Sequence, residues 1–133
     1  MVAGPVSDAE MTAAEDVLGV VFPTQYRDFL AEFGAVLVKG LEIYGLVDAA
    51  KNDPPLWNDV VDVTGQLRDW GQVGTERNCF LPISDDGTGV YFYLDTERSD
   101  LAEIWAIGPG IKRIVAGDLH QFAMDFTERN LAL

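Results

Sequence analysis

The segment Ser84 to Asp95 constrains the fold of this chain more than any other stretch. Ser84-Asp85-Asp86-Gly87-Thr88-Gly89 is turn chemistry, because Asp and Gly supply the local acceptors and the backbone freedom that a tight reversal demands. Val90 to Asp95 then alternates, with Val90, Phe92 and Leu94 set against Tyr91, Tyr93 and Asp95. That is the two-residue period of a strand with one core face and one aromatic face. Cys79 to Ile83 is a short apolar strand on the far side of the turn. Glu103 to Ile107 follows as another strand, and Gly108-Pro109-Gly110, which suits a reversal and cannot continue a ladder, leads into Ile111 to Val115. The second half of the chain is therefore an antiparallel meander.

The first half is mainly helical. Ser7 with Glu10 has the form of a capping box, and Met11, Ala14 and Leu18 recur at helical spacing before Gly19. Pro23 holds Phe22 extended, and Thr24 is placed to cap a second helix. In that helix Tyr26, Phe29, Leu30 and Phe33 form a core-facing stripe that Gly34 ends. Val36 to Val38 and Leu41 to Leu46, separated by Lys39-Gly40, fit two strands of a hairpin. Asp53-Pro54 has the order that opens a third helix, with Leu56, Val60, Val63, Leu67 and Trp70 on one face and Gly65 as a weak point within it. Gly71 to Asn78 is loop. Asp118 with Gln121 forms a second capping box for a closing helix whose stripe is Leu119, Phe122, Ala123 and Phe126. Two N-terminal helices, a hairpin, a middle helix, a meander and a C-terminal helix describe one α+β domain over residues 1–133 with a mainly antiparallel sheet.

Composition narrows the function. With 9 basic and 22 acidic side chains the formal charge is −13, and no basic stripe is present to neutralise phosphates. This argues against nucleic acid and against anionic membrane surfaces as partners. A cationic protein would be drawn in by such a field, although charge of this sign also simply keeps a small domain soluble. A hydrophobic fraction of 48% is enough for a packed core, so disorder is not expected. Cys79 is the single cysteine, which excludes an intrachain disulfide, and Met1 to Pro5 lacks the basic start of a signal peptide. A cytoplasmic protein is the expectation.

Few residues are available for catalysis. Cys79 and His120 are the only thiol and imidazole, so a nucleophilic pair is formally possible. Cys79 opens an apolar strand and His120 starts a helix beside its apolar stripe, with no orienting third group in sight. Structural zinc needs several such ligands, and Asp85 to Gly89 lacks the alternating oxygens and closing Glu of a calcium loop. Phosphate-loop glycine motifs are missing as well. No enzyme activity, metal or cofactor is therefore expected.

What remains is a surface. Tyr91 and Tyr93 share a strand face, Glu103, Trp105 and Ile107 form a second such set by the two-residue period, and Glu42 with Tyr44 a third. Aromatics among carboxylates suit recognition of a basic protein, where the rings anchor and the acids select. A cover over that face would instead make the tyrosines ordinary core residues. The expected contact residues are Glu42, Tyr44, Asp85, Asp86, Tyr91, Tyr93 and Trp105.

Taken in order, Phe22-Pro23-Thr24-Gln25-Tyr26-Arg27-Asp28-Phe29-Leu30 closing at Phe33-Gly34, then Leu41 to Leu46, then Leu81-Pro82-Ile83-Ser84-Asp85-Asp86-Gly87 feeding the aromatic strand, resembles the SUKH superfamily of Smi/Knr-type domains. The resemblance spans nearly the whole chain and implies an α+β fold. It also implies the role of the bacterial members, non-enzymatic immunity proteins that bind and neutralise polymorphic toxins, often nucleases, delivered between competing cells. A toxin domain with a basic surface is then the expected partner. The alternative implied is an intracellular regulatory or scaffold domain like the eukaryotic members.

Overall fold

A computed structural model describes residues 2–38, 40–47, 57–97 and 103–127. The elements in chain order are α1 (Asp8–Leu18), α2 (Thr24–Glu32), β1 (Val36–Val38), β2 (Leu41–Ile43), α3 (Val60–Trp70), β3 (Phe80–Asp85), β4 (Tyr91–Asp95), β5 (Ile104–Gly108), β6 (Ile111–Ala116) and α4 (Leu119–Thr127). β3 to β6 form an antiparallel sheet in sequential order, and β1 and β2 form a separate hairpin. This is the expected α+β arrangement.

Local signals explain the helix ends. At α1 the Ser7 hydroxyl accepts from the Glu10 N–H at 3.2 Å while the Glu10 carboxylate accepts from the Ser7 N–H, the full reciprocal cap. Met11, Ala14 and Leu18 are buried as their spacing predicts. At α2 the position before the helix belongs to Pro23, not Thr24, which becomes the first helical residue. α4 keeps half of its expected box. Asp118 accepts from the Gln121 N–H at 2.8 Å, but the Gln121 amide turns forward to Asp125 at 3.0 Å. The Leu119 N–H is taken instead by Gln25 of α2 at 2.7 Å, a bond that ties the two helices together.

Two boundaries depart from expectation for tertiary reasons. The second hairpin strand stops at Ile43 because the next residues turn to other partners. Tyr44 N–H donates to Ile83 at 2.7 Å, Leu46 N–H to Gly34 at 3.2 Å, and the Gly45 carbonyl accepts from Val60 N–H at 2.7 Å. Helix α3 starts after Asp59, whose side chain accepts from Val61 N–H at 2.8 Å and from Val47 N–H at 3.1 Å. Asp53-Pro54 and Leu56 lie outside the described residues. Of the expected α3 stripe, Val60 and Leu67 are buried and Val63 partly so, whereas Trp70 at the helix end is 65% exposed; Thr64 takes an inner place instead.

The crossing of these segments is tight. A Cβ on Gly45 would stand 1.5 Å from the Gly34 carbonyl oxygen, so no larger residue fits there without moving backbone. The main core lies on one face of the sheet, where Leu81, Ile83, Phe92, Leu94, Ile104 and Ala106 meet the helices and the hairpin. A smaller cluster of Phe80, Tyr93 and Ile107 occupies the opposite face. Among the described residues no helix is long and apolar enough to cross a membrane.

Candidate protein-binding site

The β3–β4 turn and the β1–β2 hairpin come together because β2 continues alongside β3. The buried Ser84 hydroxyl donates to the Glu42 carbonyl at 2.7 Å and fixes that contact. Glu42, Asp85 and Asp86 thereby line one cleft of about 280 Å³, completed by Leu37, Gly40, Gly87 and Phe126. Asp86 accepts from the Thr88 N–H at 2.8 Å and the Thr88 hydroxyl at 2.7 Å, and Asp85 from the Gly87 N–H at 3.1 Å. These carboxylates hold their own turn in shape, the role their spacing suggests. On the opposite wall the Glu42 carboxylate receives both the backbone N–H and the side-chain amide of Asn58, at 2.9 and 2.8 Å. Each carboxylate is oriented by neutral donors, and among the described residues none of the three is in an ion pair.

Tyr44 does not join this surface. It is 3% exposed, and its hydroxyl donates to Asp85 from beneath the cleft. Burial, and then the hydrogen bond to and the charge of Asp85, hold its phenol far above the usual tyrosine range. Tyr44 is a neutral strut that positions Asp85, which corrects the expected contact role.

The remaining predicted residues occupy the outer face of the sheet. Tyr91 pairs in register with Ile107, and Tyr93 with Trp105. Tyr93 is 0% exposed because segment 71–79 folds over it: its hydroxyl donates to Val73 at 3.0 Å, and a Cβ on Gly74 would sit 2.8 Å from its ring. A loop thus does the covering, and Tyr93 also leaves the expected contact set. Phe80 packs between Tyr93 and Trp105, with centroid distances of 6.1 and 5.6 Å, and the Arg77 guanidinium caps Phe80 at 4.4 Å. Tyr91 and Trp105 stay partly exposed. Asp85 pairs with Tyr91 across the β3–β4 ladder, so Tyr91 joins the cleft to this outer face.

The formal nucleophilic pair is not assembled. Cys79 belongs to the outer cluster and His120 to α4, whose Leu119 and Phe122 pack on the inner core. Burial, followed by the charges of Glu97 and Asp95, pushes the Cys79 thiol up, away from the reactive thiolate. Antiparallel pairing does bring Cys79, Asp95 and Glu97 within 4.8 Å of one another, a set able in principle to hold a cation that sequence spacing did not reveal. Asp95 accepts from the Glu97 N–H at 3.1 Å and Glu97 faces Arg77 at 3.7 Å, which makes it a weak ligand set.

Sequence reasoning also missed Phe126 as a cleft residue and Asn58 as the partner that orients Glu42. Phe126 carried a signal, the last and least enclosed place on its helical stripe, while Asn58 carried none. No curated protein sequence matches the chain. The family model described as SUKH_6, SMI1-KNR4 cell-wall, matches residues 8–123, from the first residue of α1 into α4. With the helix–hairpin–helix–meander–helix order in place and that match spanning most of its length, the chain belongs to the SMI1-KNR4 family of the SUKH superfamily.

Proposed function

We propose that this chain is a non-enzymatic immunity protein that neutralises a polymorphic bacterial toxin in the cytoplasm by direct binding, with the acidic cleft facing a basic surface of the toxin. The observation that carries this reading is the convergence of Glu42, Asp85 and Asp86, from two separate hairpins, on one cleft of a family member. A net charge of −13 supports it, because complementary fields speed encounter and disfavour wrong partners. Nuclease toxins suit the match, since a surface made for a polyanion is basic.

The test is a binding titration with the toxin domain encoded beside this chain, with protection of cells as the second readout. A tight complex is expected, weakened by salt. Glu42→Gln, Asp85→Asn and Asp86→Asn together should reduce affinity by about tenfold in a variant that stays folded, with a thermal transition lowered by the loss of carboxylate bonds to Tyr44, Gly87 and Asn58. A toxin that kills equally with and without this chain ends the proposal for that pair. The family description names the cell wall, which favours a second reading as a regulatory or scaffold domain; a chain with no toxin gene in its neighbourhood would support that one.

A further inference from the structure

A second concavity, of about 490 Å³, lies between α2, α4 and the β1–β2 hairpin, within the range of about 300–1,000 Å³ typical of ligand sites. Its walls are mostly apolar, with Gln25 of α2 and His120 of α4 also lining it. Phe29 comes from α2 and Phe33 from its C-cap, Val36 and Ile43 from the hairpin, and Ala123 from α4. The α2 stripe explains why it is open: Tyr26 and Leu30 are fully buried, whereas Phe29 and Phe33 are only partly covered. On the rim stand Asp28 and Glu32, both exposed and four residues apart on the same helix edge. Among the described residues neither carboxylate has an ion-pair partner. Like charges at this spacing repel, and a cation between them relieves that repulsion.

We propose that this pocket is a docking site for a segment of a basic partner protein, which inserts one large apolar side chain and sets an adjacent Lys or Arg between Asp28 and Glu32. The inference rests on the protein-binding reading above and assigns it a second, apolar point of attachment. Continuity supports it. Strand residues alternate sides, so Val36 and Ile43 of the hairpin face this pocket while their neighbours Leu37 and Glu42 line the acidic cleft. Helix α4 serves both, through Ala123 here and Phe126 there. One partner can therefore straddle the hairpin, with charge recognition on one side and an apolar anchor on the other.

The test uses short capped synthetic peptides and the full chain. The first carries Leu-Phe flanked by lysines, the second the same anchor flanked by glutamates, and the third lysines around serines. Fluorescence anisotropy gives the affinity, amide chemical shifts give the location, and sedimentation gives the stoichiometry. Only the first peptide is expected to bind, one to one, with shifts centred on Phe29, Val36 and Ala123. Asp28→Asn with Glu32→Gln should weaken it by about three- to tenfold, and Ala123→Phe, which fills the pocket, by more than about tenfold. Asp16→Asn with Asp69→Asn removes the same charge elsewhere and should leave affinity within about twofold. Should Ala123→Phe fail to fold, the exposed Asp28 and Glu32 pair still decides.

Equal binding of the glutamate peptide, shifts confined to the acidic cleft, or a homodimer that Ala123→Phe dissolves would each overturn the proposal. The toxin domain separates the two readings. If it binds the Asp28/Glu32 variant as tightly as the parent but loses the cleft variant, the pocket proposal falls and the immunity reading stands. If the lysine peptide seats in the pocket while no toxin is bound or neutralised, the immunity reading falls and the pocket remains.

Discussion

The two faces of the four-stranded sheet are built from the same alternation but end differently. On the inner face Phe92 meets Phe122 and Phe126 of α4, with centroids at 4.9 and 6.0 Å, beneath a layer of helices. On the outer face Tyr93 is roofed by a loop, through its hydroxyl bond to Val73 at 3.0 Å and the close approach of Gly74 to its ring, and Tyr91 and Trp105 remain partly open. A strand pattern decides which residues share a side. What covers that side is settled by distant chain, here by a stretch with no periodic signal of its own.

This contrast can be broken by measuring what each face contributes. The largest effect is expected for Phe92→Ala, which leaves a cavity under α4 and should lower unfolding free energy by about 3–5 kcal/mol in denaturant melts. Trp105→Ala should lose about 2 kcal/mol, because part of its side chain is already in water and what is forfeited is its packing on the small outer cluster around Phe80. A Trp105→Ala loss matching that of Phe92→Ala would mean the faces are equivalent. Tyr93→Phe keeps the ring and removes the bond to Val73, for about 1 kcal/mol; faster amide exchange in segment 71–79 should accompany it.

The smallest effect sharpens the link between hairpin and helix. Asp59 has its carboxyl raised above the ordinary value, chiefly by burial, against the lowering pull of the Val47, Val61 and Asp62 N–H groups. A raised folded value means that the protonated form favours the fold. Its contribution is full below the ordinary carboxylate pKa and is lost as pH rises through the raised value. Stability plotted across that window should fall less steeply in Asp59→Asn than in the parent, and a carbon-detected titration should place Asp59 above the surface carboxylates.

Sequence made the helix ends and the meander legible because Ser7, Gly19, Gly34 and Gly71 act through bonds a few residues long. It misplaced what long-range bonds decide. The strand expected to run to Leu46 is cut at Ile43 by the demands of Ile83, Gly34 and Val60, and the Tyr44 ring is drawn inward by Asp85, far along the chain. The site followed the same rule. Asp85 and Asp86 were visible as turn acids, but their meeting with Glu42 depends on β2 lying against β3 with all of α3 between them in sequence. On α2, spacing marked Phe29 and Phe33 as stripe residues without showing that the neighbouring elements stop short of enclosing them.

The contact between Gly45 and the Gly34 carbonyl has a consequence for how this scaffold can change over time. The hairpin is seated backbone on backbone, so its position does not depend on the size of any side chain exposed along its edges. Residues such as Glu42 and Leu37 on one flank, or Asp28 and Glu32 beyond the other, can be exchanged without shifting the distance between the two concavities. Partner preference is thereby separable from foldability: the rims can be rewritten while the frame that spaces them stays fixed.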